Sequence, residues 1–73
     1  MNTVKLLQRI SAAELTVAQV ADKLGISRQG LYLKLNGSRE FRASELKALK
    51  RLLDLSPEDA TDIFFGGDVY EKT

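Results

Sequence analysis

Arg28 and Gln29 stand side by side after Ser27 in the run SRQGLYLKLNG, and both side chains can hydrogen-bond in pairs. An arginine fork can donate two bonds to O6 and N7 of guanine, and a glutamine amide matches N6 and N7 of adenine. Leu33 lies four residues beyond Gln29. It has no hydrogen bond to give, but it can pack on a thymine methyl; the alternative turns it toward the next helix or a partner. Tyr32 joins the base-facing candidates, its alternatives being a phosphate or sugar contact, or a half-buried aromatic. Ser27, Lys34, Arg39 and Arg42 supply a hydroxyl and cations of the kind that meet phosphate oxygens. The chemistry on offer is therefore recognition of double-stranded DNA.

These side chains need a helix end held outward, and the chain from Thr16 to Gly37 encodes one. Thr16 and Gln19 form a capping box, with Leu15 and Val20 placed as a hydrophobic staple. Ser27 is a second N-cap, and Ile26 and Leu31 repeat the staple spacing. Gly25 lies where the chain must leave the first of these helices through a left-handed turn. On the second helix, Leu31 and Leu35 point one way while Gln29 and Leu33 point nearly opposite. Arg28 occupies the first turn, where it can project past the helix end. Gly30 costs up to about 1 kcal/mol inside a helix, and close approach of the two helices is the expected reason for it.

The rest of the chain supplies the support. Apolar residues recur at helical spacing over about Thr3 to Ala13. Another stripe, Leu46, Leu49, Leu52 and Leu53, marks a helix from Ala43 to Leu53, and residues 36–42 read as a polar, partly basic loop. Ser56-Pro57-Glu58-Asp59 starts a last helix, which Ile63, Phe64 and Phe65 close before Gly66-Gly67. The reading is an all-α bundle of about five short helices: a single domain over 1–67 with its motif at 16–37, and a tail, 68–73, expected to fray.

VADKLGISRQ, followed by a helix ending in LNG, resembles the helix-turn-helix of the lambda-repressor and Cro family of phage and bacterial regulators. The likeness is close over the two motif helices and rests on spacing and apolar pattern in the flanking ones. It implies a compact helical DNA-binding domain, a small repressor- or Cro-like transcriptional regulator of phage or prophage origin, and a dimer on a palindromic operator. It also implies that Arg28 and Gln29 read bases and that Asn36 clamps a phosphate, a role Asn36 can share with capping the helix. Many relatives open the first motif helix with a phosphate-binding glutamine; Val17 stands there instead.

Composition narrows the alternatives. There is no histidine or cysteine and no phosphate-cradling glycine loop, so neither an enzyme nor a metal site is expected. No cofactor, small-molecule ligand or membrane span is expected, and the setting is expected to be the cytoplasm of a bacterial host. Net charge is +1 overall but unevenly divided: 0 over Met1–Asp22, +6 over Lys23–Arg51 and −5 over Leu52–Thr73. The basic segment coincides with the motif, as an electrostatic footprint for a phosphate backbone should. Ile63, Phe64 and Phe65 either pack on the first helix or form a self-complementary dimer patch. The competing function is a protein-interaction module on the same scaffold, of antitoxin or inhibitor type.

Overall fold

A computed structural model describes residues 1–65 as five helices. They are α1 (Thr3–Ala12), α2 (Val17–Leu24), α3 (Arg28–Leu35), α4 (Ala43–Leu52) and α5 (Pro57–Phe65). Every helix expected from the sequence is present, with α1 and α4 each ending one residue early. The expected tail, 68–73, lies outside the described residues.

Local chemistry sets the boundaries. Thr16 Oγ1 accepts from the Gln19 backbone N–H at 3.1 Å, and Gln19 Oε1 accepts from the Thr16 N–H at 2.8 Å, which closes the capping box. Ser27 Oγ accepts from the Gly30 N–H at 2.9 Å, and Ser56 Oγ from the Asp59 N–H at 3.0 Å. Asn2, not foreseen as a cap, accepts from the Lys5 N–H at 3.1 Å. Three helices stop in the same way. After α1, α2 and α4, residues Glu14, Gly25 and Asp54 take φ values of 61°, 76° and 54°. Leu15, Ile26 and Leu55 follow, each donating its N–H back to a carbonyl five residues earlier. This is the Schellman arrangement, and its apolar last residue turns inward.

The core consists of Leu6 and Ile10 from α1, Val20 and Ala21 from α2, and Leu31 and Leu35 from α3. Leu49, Leu53 and Leu55 add the contribution of α4 and its exit turn, and Ala60, Ile63 and Phe64 that of α5. α2 packs on both α3 and α4, and α1 lies along α5. Two ion pairs, Lys5–Asp62 and Arg9–Asp59 (2.9 Å), border the α1–α5 seam. The Arg9 guanidinium holds the Asp59 carboxyl below its usual pKa. Both pairs are about half exposed and add little stability. Stronger ties are the Asn2 N–H to the Ile63 carbonyl, 2.7 Å, and the Thr3 hydroxyl to the Leu35 carbonyl, 3.0 Å. They fix the start of α1 to α5 and to the end of α3.

Burial decides the choice left open for the end of α5. Ile63 is 1% exposed and Phe64 8%, so these two are core and not dimer contacts; Phe65, 58% exposed, faces outward. Gly30 also differs from expectation. A Cβ there would sit 3.1 Å from Ser27 Oγ, with nothing from α2 as near. The constraint is the cap of its own helix, not the helix crossing. The two residues should therefore be coupled. Gly30→Ala alone should move stability by less than about 1 kcal/mol, because gained helix propensity is offset by a strained cap. In a Ser27→Ala background the same change should stabilise by about 1 kcal/mol. Additive effects in a denaturant-melt double-mutant cycle would disprove the coupling.

Candidate nucleic-acid interface

The turn between α2 and α3 aims the start of α3 outward. Gly25 adopts the left-handed conformation, Ile26 packs against the core and Ser27 caps the new helix. Arg28 and Gln29 occupy the first turn of α3 and are exposed. Tyr32 is 50% exposed and lies one turn along from Arg28, so the pair share a face. Leu33 is half-buried, between the two roles open to it. Leu31 and Leu35, at 1% and 8% exposure, hold the opposite face in the core. Only three of the four base-facing candidates are thus well presented to a groove.

The phosphate-facing candidates divide. Ser27, Arg39 and Arg42 are exposed and line one concavity of about 390 Å³ between the starts of α3 and α4. The Ser27 hydroxyl accepts from the Gly30 N–H and keeps its own proton to donate. Asn36 is exposed at the end of α3, where its Oδ1 accepts from the Ser38 N–H at 2.9 Å. This Asx turn shapes the loop and leaves the amide NH₂ to donate outward.

Lys34 is otherwise employed. Its ammonium lies 3.0 Å from Glu45 Oε1 and donates to the Glu40 carbonyl at 3.2 Å, with the Phe41 ring centroid 5.9 Å away. The side chains of Lys34 and Glu45 are only 10% and 9% exposed. Expected as a phosphate contact, Lys34 instead ties α3 to the start of α4, since reaching a phosphate would strip Glu45 of its counter-charge. The sequence reading missed Glu45 and Phe41 as parts of this arrangement. A helical signal for Glu45 was present: it lies four residues before the fully buried Leu49, on the same face.

Burial alone would raise the Glu45 pKa. The Arg42 backbone N–H, 2.8 Å away, and the Lys34 ammonium outweigh it, and the carboxyl titrates below its ordinary value. Val17 is half-buried against the core, so the start of α2 presents no side chain to phosphate at that position.

A short capped helix on an apolar base, an outward-facing Arg-Gln pair and a flanking arginine-lined concavity define the DNA-binding class of helical domain. In agreement, the family model described as a helix-turn-helix domain matches residues 5–62. The chain belongs to this helix-turn-helix family. Comparison with curated proteins and with solved structures finds no significant match. Among the described residues, no helix is long and apolar enough to cross a membrane.

The buried pair gives a pH-dependent expectation. Glu45 has a lowered pKa in the folded state, so its contribution is complete above about pH 4.5 and fades as pH falls through the lower, folded value. Glu45→Gln should cost about 3 kcal/mol at neutral pH by leaving the Lys34 ammonium buried without a counter-charge. The variant should also lose part of the acid-limb dependence of stability. Wild-type-like thermal melting of Glu45→Gln across pH 3–7 would overturn this assignment.

Proposed function

We propose that this protein is a small sequence-specific DNA-binding transcriptional regulator of repressor or Cro type, and a binding protein, not an enzyme. The observation that carries the reading is the exposed Arg28-Gln29 pair on the first turn of a capped helix, beside the Arg39–Arg42 concavity. In this reading α3 enters the major groove. Arg28 and Gln29 pair with base edges and Tyr32 leans on the groove wall. Ser27, Asn36, Arg39 and Arg42 bind the backbone. The resemblance of residues 20–37 to phage and bacterial repressors supports the regulatory role and a host-cell cytoplasmic setting.

The protein works as a homodimer on a palindromic operator. A lone module covers only about 600–1,000 Å² on DNA, little for specific affinity. Two-fold pairing would set two α3 helices about 34 Å apart, one turn of duplex. Phe65 is the candidate contact, exposed beside a hollow lined by Met1, Phe41, Leu46 and Phe64 and by the polar side chains of Arg39 and Glu40.

Selection from a random duplex pool tests the proposal, and a palindrome with half-sites one turn apart is the expected winner. Arg28→Ala and Gln29→Ala should each cost about 1–3 kcal/mol on that operator and relax preference at one position, with folding unchanged. Arg39→Ala and Arg42→Ala should weaken all sequences alike and each reduce the log–log salt slope by about 1. Phe65→Glu should leave half-site binding intact and abolish cooperative binding to the full operator. A folded protein that enriches no sequence and does not bind DNA at low salt would favour the protein-interaction alternative.

A further inference from the structure

Ten of the eleven Lys and Arg residues lie in the described part of the chain. Lys5, Arg9 and Lys34 are in ion pairs, and Arg28, Arg39 and Arg42 belong to the interface above. Four cations are left over: Lys23 at the end of α2, and Lys47, Lys50 and Arg51 on the outer face of α4. All four are exposed, and none forms an ion pair among the described residues. Lys47 to Arg51 lie about 8–14 Å along α4 from Arg42, at the 1.5 Å rise of a helix. They form a separate ridge from the phosphate-facing concavity.

The ridge borders a groove between the ends of α2 and α4. Lys23 and Arg51 stand on its rim, and Leu24, Ala48 and Leu52 make an apolar lining, over a volume of about 270 Å³. Leu24 and Leu52 are half-buried and rest on the core, so the floor is firm. A second concavity of about 390 Å³ continues along α4, lined by Lys47, Lys50, Arg51, Asp54 and Leu55. Opposing the helix dipole accounts for a cation in the last turn of α2 and of α4. It accounts neither for Lys47 nor for an apolar floor between the two ends.

We propose that this groove docks an acidic, amphipathic segment of a partner protein, with an apolar side chain on Leu24–Ala48–Leu52 and carboxylates against Lys23, Lys50 and Arg51. Charge complementarity selects the occupant. A duplex backbone would use the cations and leave the apolar floor empty, whereas a peptide bearing both acids and apolar residues uses both. The first hollow falls just below the roughly 300–1,000 Å³ typical of small-molecule sites, which argues against a metabolite. A second copy offers no described helix face that joins free acids to exposed apolar residues in this pattern. On α5, Asp59 and Asp62 are engaged by Arg9 and Lys5, and Glu58 stands alone in the first turn, away from Phe65. The site works whether or not α3 reads DNA, so it stands apart from the function proposed above.

The test uses the full chain, ¹⁵N-labelled, titrated with a short synthetic peptide of Leu and Phe among Asp and Glu. A control peptide replaces the acids with Asn and Gln. Amide shifts are expected at Lys23, Leu24, Ala48, Arg51 and Leu52 with the acidic peptide and not with the control. Lys50→Glu with Arg51→Glu should weaken the acidic peptide at least about tenfold while the protein stays folded, with a melting temperature lowered somewhat by acids at the end of α4. Lys47→Gln with Lys50→Gln, a milder pair, should give a smaller loss in the same direction. A random duplex added alone should shift α3 and residues 36–42. Should the duplex shift the ridge amides and the peptide leave them unmoved, the ridge is a DNA contact and the proposal fails. Peptide shifts that survive the charge reversal, or no peptide shifts at all, also overturn it.

Discussion

The buried carboxylate of Glu45 ties the outward-facing helix, seated on the core by Leu31 and Leu35, to the loop and helix that follow it. It accepts from the Arg42 N–H at the start of α4 and faces the Lys34 ammonium near the end of α3. Lys34 in turn holds the Glu40 carbonyl and lies over the Phe41 ring. One pair thus joins two helices and the loop between them. Removing two charges from water is expensive, and a well-packed apolar pair would often be as stable. What an apolar pair would lack is direction. The ion pair and the Lys34–Glu40 hydrogen bond join the end of α3, the loop and the start of α4, the segment that carries Arg39 and Arg42.

The helix endings show a different balance of forces. Glu14, Gly25 and Asp54 perform the same left-handed step, each followed by an apolar residue. For a residue with a Cβ that conformation costs roughly 1–2 kcal/mol. Only the turn between α2 and α3 uses glycine. At the other two, burial of the following leucine must offset the strain, and Leu55 at 5% exposure shows how this is done. All three turns restart a helix three residues on, at Val17, Arg28 and Pro57, so the glycine at position 25 reflects no difference in turn length.

The five helices were legible because their signals are local. Thr16, Gln19, Ser27 and Ser56 act on neighbours three residues away, and glycine or an apolar residue marks each stop. The outward placing of Arg28 and Gln29 was legible for the same reason, as the converse of a Leu31–Leu35 face. Lys34 and Phe41 were not. A lysine near the end of an amphipathic helix and a phenylalanine in a basic loop give no sign of each other until Glu45 arrives from another element, and no local rule fixes that meeting. The end of α5 was ambiguous for a related reason. Three adjacent apolar residues point over about 200° of a helix, so they cannot all face one side, and the elements packed against α5 decide that Phe65 is the exposed one.

The distribution of charge then follows from what each cation has to hold. Along α1 and α5, lysine and arginine are matched by aspartates, so that seam projects little field. Around α3 and α4 the acids are fewer, and the only buried one is already neutralised by Lys34. The unbalanced positive charge is therefore concentrated at the start of α3, in the following loop and along α4. A chain with a net charge of only +1 can thus orient strongly in the field of a polyanion while remaining weakly attracted to it at a distance. This division favours an oriented approach to a polyanion over indiscriminate retention on it.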